Sequence, residues 1–167
     1  IGGIGVNSHS GAYAEAVEHA QGIEWPVRAQ YIRSILLEVE RLHSHLLNLG
    51  LGCHYCGFDT GFQHFFRVRE KTMDLAVLLT GTRKTYGLNL IGGVRRDILD
   101  EQKLATIKYV RELRHEVEAL VDMLVSTATF ESRPAGLGRL DPAVARDFRP
   151  LGPRARGRGL PRHLRFA

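Results

Sequence analysis

Apolar residues recur at helical spacing along most of the chain, and four stretches carry the pattern. "GAYAEAVEHAQG" reads as a short helix, with Ser10 as N-cap and Gly22 as its end. "EWPVRAQYIRSILLEVERLHSHLLNLGLG" is the strongest. Pro26 suits a first turn, and Val27, Tyr31, Ile35, Val39, Leu42 and Leu46 step by three or four residues. Ile32, Leu36, Leu37 and Leu47 widen that stripe, and Gly50 and Gly52 are expected to terminate the helix. A third helix covers roughly Gln63 to Thr80, ending at Gly81. "KTYGLNLIGGVRRDI" is glycine-punctuated and reads as loop with a short strand.

From about Asp100 to Ser126 a long amphipathic helix is predicted. Its apolar face runs through Leu104, Ile107, Val110, Leu113, Val117, Leu120, Val121 and Leu124. Asp141 can cap a further short helix with Pro142 at its first position. These elements predict a mainly α chain folded as an antiparallel helical bundle, with an irregular C-terminal segment. Residues 1–132 would form the helical core, and 133–167 an Arg/Pro/Gly-rich segment of the same domain.

Composition changes the picture only at the C-terminal end. The 167 residues are 44% apolar and 25% charged, as in globular proteins, and no apolar run reaches membrane-spanning length. The net charge of +5 is lopsided: Arg133 to Ala167 holds nine arginines against Asp141 and Asp147, with five of the six prolines. Such a tail binds anions, acidic partners or nucleic acid, or finds carboxylates elsewhere in its own protein. The absence of lysine from it argues against a nucleic-acid arm. The start at Ile1, with no signal segment, reads as a piece of a longer chain.

Candidate chemistry is sparse. "IGGIG" lacks the strand, spacing and lysine of a phosphate loop. Glu38, Arg41 and His45 fall on one helical face beside the predicted apolar stripe, as an internal ion-pair network or an acid–base set would. His43 and His45 flank Ser44 and point to different sides. Cys53 and Cys56 form a C-x-x-C without a second ligand pair, although His54 and His64 are near in sequence. Two buried thiols are the expected reading.

Taken together, "AYAEAVEHAQGIEWPVRAQYIRSILLEVERLHSHLLNLGLGCHYCGFDTGFQHFFRVREK", "LLTGTRKTYGLNLIGGVRRDI", "LDPAVARDF" and "GPRARGRGLPRHLR" closely resemble the large subunit of formate hydrogenlyase. That subunit belongs to the membrane-associated [NiFe]-hydrogenases, homologous to the 49 kDa subunit of respiratory complex I. The resemblance implies the middle of an oxidoreductase large subunit that passes electrons to protons or quinone. An iron–sulfur small subunit and other subunits would surround it, on the cytoplasmic face of the inner membrane and without a membrane span of its own. The complex I branch implies quinone binding and NAD-linked electron transfer.

The hydrogenase branch carries R-I-C-G-I-C here, followed by a histidine. Ile1, Gly3, Ile4 and His9 match, whereas Gly2 and Gly5 stand where the two cysteine ligands belong. Glycine offers no donor atom, so the expected metal and cofactor content of this chain is none, with His9 left beside an empty ligand position. The complex I branch has a quinone-binding tyrosine where Gly3 stands. Glu38, Arg41 and His45 match polar positions of both branches, which implies a role in the cavity wall and its proton connections. Arg156, Gly157, Gly159, Arg162 and Arg165 fit the Arg- and Gly-bearing segment near the cavity, and His163 departs from an aspartate. A non-catalytic scaffold paralogue is the alternative, and a basic anion- or nucleic-acid-binding protein a third.

Overall fold

Proline lacks an N–H and has a fixed φ, so Pro26 can start a helix but not sit inside one. In the computed structural model it is the N-cap of the longest helix, at φ −59° and ψ 139°. The structure describes residues 5–138, 141, 143 and 144. Two compact units divide it, 1–130 and 131–167.

The element order is α1 (Val6–Gln21), α2 (Val27–Tyr55), α3 (Asp59–Thr80), β1 (Asn89–Leu90), β2 (Gly93–Val94), α4 (Asp100–Ser126) and α5 (Ala128–Glu131), all in the first unit except the last residue of α5. The chain is mainly α, as its periodicity predicts. Gly22 and Gly81 close α1 and α3 in the left-handed conformation that favours glycine. The β1–β2 pair is an antiparallel hairpin with Asn89 opposite Val94 and Leu90 opposite Gly93. The short strand expected in this glycine-rich stretch is therefore one half of a hairpin.

Helix α1 starts earlier than predicted, at Val6 rather than after Ser10. Helix α2 does not stop at Gly50 or Gly52 but runs to Tyr55. Close packing explains the glycine at position 50. A Cβ on Gly50 would lie 2.9 Å from the Phe66 ring and 3.2 Å from Phe65 Cβ. One on Gly61 of α3 would meet Phe58 at 2.5 Å and the Cys53 sulfur at 3.0 Å. The two helix backbones thus approach each other where neither has a side chain, and tertiary packing outweighs glycine's poor helix propensity.

Three apolar clusters follow from this approach. Leu46, Cys53, Phe65 and Val68 meet Leu113 and Leu120 of α4. Val39 meets Leu75, Ala76 and Leu79. Ile32 and Leu36 meet Leu88 beside the hairpin. The buried stripe of α2 thus runs through Ala29, Ile32, Leu36, Val39, Leu46 and Cys53, while the predicted members Val27, Tyr31 and Ile35 are exposed. Helix α4 has the predicted bounds, but its buried residues, Leu113 and Leu120, both lie in its second half; Leu104, Ile107 and Val110 of the first half stay exposed, as does Val121. Periodicity marks which residues share a face, not how far a neighbour reaches along it.

In the second unit, Asp141 caps as predicted, its Oδ1 accepting the Ala143 N–H at 2.7 Å. Pro142 lies outside the described residues.

Candidate functional site

The shift of the α2 stripe decides which polar residues are internal. Arg33, Glu40 and His43 lie on the buried side of α2. Glu38, Arg41 and His45 lie roughly half a turn away around the 3.6-residue helix. Glu38 and Arg41 pair at 3.2 Å across one turn, with side chains 60% and 36% exposed. The pairing expected from their spacing is present, but in solvent rather than beside the core. His45 is exposed on the same side.

Glu40 reaches from α2 to the start of α1. Gly5, the α1 N-cap, has no side chain to cap the helix, so its first amides need another acceptor. Glu40 Oε1 accepts the Asn7 N–H at 2.6 Å, and Oε2 accepts the Ser8 N–H at 2.9 Å and the Ser8 hydroxyl at 2.8 Å. A carboxylate there also meets the positive end of the helix dipole. Asn89 of the hairpin adds a second tie, donating to Asn7 Oδ1 at 2.9 Å and to Ser10 Oγ at 3.2 Å. The segment after the "IGGIG" glycines is thereby clamped by α2 and β1. Of the predicted ligand positions, Gly5 is at this helix start and Gly2 lies outside the described residues. His9, one turn into α1, is exposed.

One turn beyond Glu40, His43 meets two cations. Its Nε2 lies 2.6 Å from Arg69 Nη2 of α3 and 3.0 Å from Lys84 Nζ of the following loop. Arginine and lysine can only donate here, so Nε2 is the acceptor and the imidazole is neutral, with its proton on Nδ1. Burial, then the charges of Arg69 and Lys84, push its pKa down to about 4. Burial and Arg69 likewise lower that of Lys84. Beside them is a cavity of about 20 Å³, lined among others by Glu40, His43, Lys84 and Thr85, with room for one water.

A second buried network joins α1, α2 and the hairpin. Arg33 grips Glu18 through two bonds of 2.6 and 2.9 Å. The same guanidinium donates to Leu90 O and Gly93 O, and Glu18 accepts the Gly92 N–H at 2.7 Å. Hydrogen bonding from Arg33 holds the Glu18 carboxyl below its ordinary pKa despite its burial. Arg33 also lies over the Trp25 ring, 5.6 Å from its centroid.

Cys53 is fully buried and Cys56 partly so; neither is in a disulfide, and burial raises the Cys53 pKa. His54 Nδ1 lies 2.9 Å from Asp59 Oδ1, and His64 is exposed. Among the described residues no three His, Cys, Asp or Glu side chains converge as a metal site. Arg156, Gly157, Gly159, Arg162, His163 and Arg165 lie outside the described residues.

Sequence reasoning missed Glu18, Arg33, Glu40, Arg69 and Lys84, and named His43 only as a neighbour of His45 pointing to another side. For α2 the signal was present. Counting Ala29, Gly50 and Cys53 as core positions completes a three–four stripe that carries Arg33, Glu40 and His43 with it. Nothing local marks Arg69 or Lys84, which reach His43 from other elements.

The buried charges, the glycine-tipped hairpin and the helices that carry them fall within a chain of recognisable ancestry. Residues 56–167 match the family model described as the respiratory-chain NADH dehydrogenase 49 kDa subunit, and the chain belongs to that family. It is 59% identical to formate hydrogenlyase subunit 5 of Escherichia coli over 95% of its own length and 28% of the relative's. It is 63% identical to hydrogenase-4 component G of the same organism, over 94% and 28%. To NADH-quinone oxidoreductase subunit 4 of Thermus thermophilus the identity is 36%, over 96% and 39%. The chain therefore spans about a quarter to two-fifths of the length of these curated relatives. No helix of the described residues is long and apolar enough to cross a membrane.

Proposed function

We propose that this chain is part of the large subunit of a membrane-associated hydrogenase-like oxidoreductase that passes electrons to protons or quinone. The observation that carries the reading is the gap in identity, 59–63% to the two hydrogenase-complex relatives against 36% to the NADH-quinone oxidoreductase relative. An iron–sulfur small subunit would supply the electrons, and the assembly would sit on the cytoplasmic face of the membrane. Residues 133–167 would continue the same domain. Glu38, Arg41, His45 and Arg156 would line a cavity completed by segments outside this chain.

The residues present do not fit a nickel–iron centre at the first ligand pair. Gly5 begins α1 with no donor atom, and no other thiol, imidazole or carboxylate cluster of the described residues replaces it. We therefore assign this chain a framework role around the cavity, with Glu40 clamping the segment that would otherwise bear the ligands.

Metal analysis of the full-length protein, produced with its maturation machinery, tests this. Neither nickel nor iron is expected in stoichiometric amount in the large subunit. Both metals at one per subunit would overturn the ligand loss while leaving family membership intact.

A further inference from the structure

The cluster around His43 has more donors than acceptors. Its Nε2 has one lone pair, yet Arg69 Nη2 and Lys84 Nζ both lie within hydrogen-bonding distance of it. Arg69 Nε is buried with no hydrogen-bond partner. Neither cation forms an ion pair among the described residues, and the carboxylates nearby are engaged elsewhere. Glu40 holds Asn7 and Ser8, Glu70 pairs with Arg83, and Asp74 accepts from Tyr109. Arg69 has the face of the Phe66 ring 5.5 Å from its guanidinium carbon, and Glu40 acts on Lys84 through space, but the orphaned N–H and the shared acceptor leave donors that an anion would satisfy.

We propose that this cluster is a binding site for a small carboxylate-type oxyanion, taken up by Arg69 and Lys84 at the edge of the cavity beside His43. A planar two-oxygen anion matches a guanidinium fork, and the ammonium adds a point charge. The cavity of about 20 Å³ admits one oxygen atom of the anion, so the rest of a formate-, acetate- or bicarbonate-sized ligand would lie at its edge, and nothing of nucleotide size fits inside. Lys84 is half-buried and Tyr86 exposed at the loop that lines it, so entry past 83–86 needs no opening of the helices. The anion would give both cations an acceptor and relieve the competition for Nε2. This site is independent of the nickel–iron question, because none of its residues is a ligand position.

The test follows the His43 side-chain resonances of the full-length protein during titration with sodium acetate, against sodium chloride at equal ionic strength. Acetate is expected to give a saturable shift in roughly the millimolar range and to raise the His43 titration midpoint by about one pH unit or more. Arg69→Gln and Lys84→Gln, each checked for native circular dichroism, should weaken binding by roughly tenfold or more. Acetate and chloride acting alike on His43 in the unaltered protein would overturn the proposal, even if the variants failed to fold. So would acetate affinity undiminished in a folded Arg69→Gln.

Discussion

Glu40 of α2 caps α1 from outside, its Oε1 accepting the Asn7 N–H at 2.6 Å. A helix that begins on glycine with no capping side chain of its own thus borrows one from 33 residues further along. The carboxylate both satisfies orphan amides and compensates the helix dipole.

Glu40→Ala is therefore expected to destabilise the protein by about 1–2 kcal/mol, with Glu40→Gln between it and the unaltered chain. Denaturant unfolding gives the magnitude. Hydrogen exchange locates it: the Asn7 and Ser8 amides should lose protection while those of α3 keep theirs. Unaltered protection at both amides would contradict the capping role.

The Glu18–Arg33 pair predicts non-additivity. Arg33→Met leaves a buried carboxylate unpaired and should cost roughly 3–5 kcal/mol, whereas Glu18→Gln/Arg33→Met together should cost less than that single change. The Glu18 carboxyl has a folded pKa below its ordinary 4.5. Its contribution is thus present above about 4.5 and is lost as pH falls toward the folded value. Arg33→Met should remove that part of the acid dependence. A double-mutant cycle at neutral pH and at low pH measures both effects.

His43 predicts a second window. The ordinary value is 6.5 and the folded value about 4, so between them the unfolded chain binds a proton that the folded chain does not. Stability conferred by the neutral ring is complete above about pH 6.5 and falls as pH drops toward 4, with a slope of at most one proton. His43→Gln, which keeps an acceptor, should flatten that slope. Urea titrations across the window decide it, and equal slopes in both proteins would rule His43 out as the source.

Gly50 and Gly52, neighbours along α2, should respond oppositely to alanine. At Gly50 the new methyl meets Phe66 at 2.9 Å, so Gly50→Ala should cost roughly 1–3 kcal/mol. At Gly52 nothing lies within 4 Å, so Gly52→Ala should stabilise by about 0.5–1 kcal/mol through helix propensity. Thermal melting of the two variants is sufficient, and a matching sign would refute the close α2–α3 approach.

What the sequence by itself determined is local and repetitive. It set the mainly helical class, the bounds of α4, the closure of α1 and α3 at Gly22 and Gly81, and the capping by Asp141. Each rests on side-chain period or on the conformational limits of one residue, which act within a turn or two. The family was legible as well, because its motifs occur in order along the chain. The sequence of α2 offers two stripes, and tertiary packing decided which of them faces inward. Close contact at Gly50 and Gly61 rotated the buried stripe onto Arg33, Glu40 and His43 and left Glu38, Arg41 and His45 in solvent. The partners of the buried charges come from α1, α3, the hairpin and the 83–86 loop, up to 74 residues away in sequence. Helical spacing encodes a neighbour on the same helix, but it carries no record of which distant donor will find an acceptor once the helices touch.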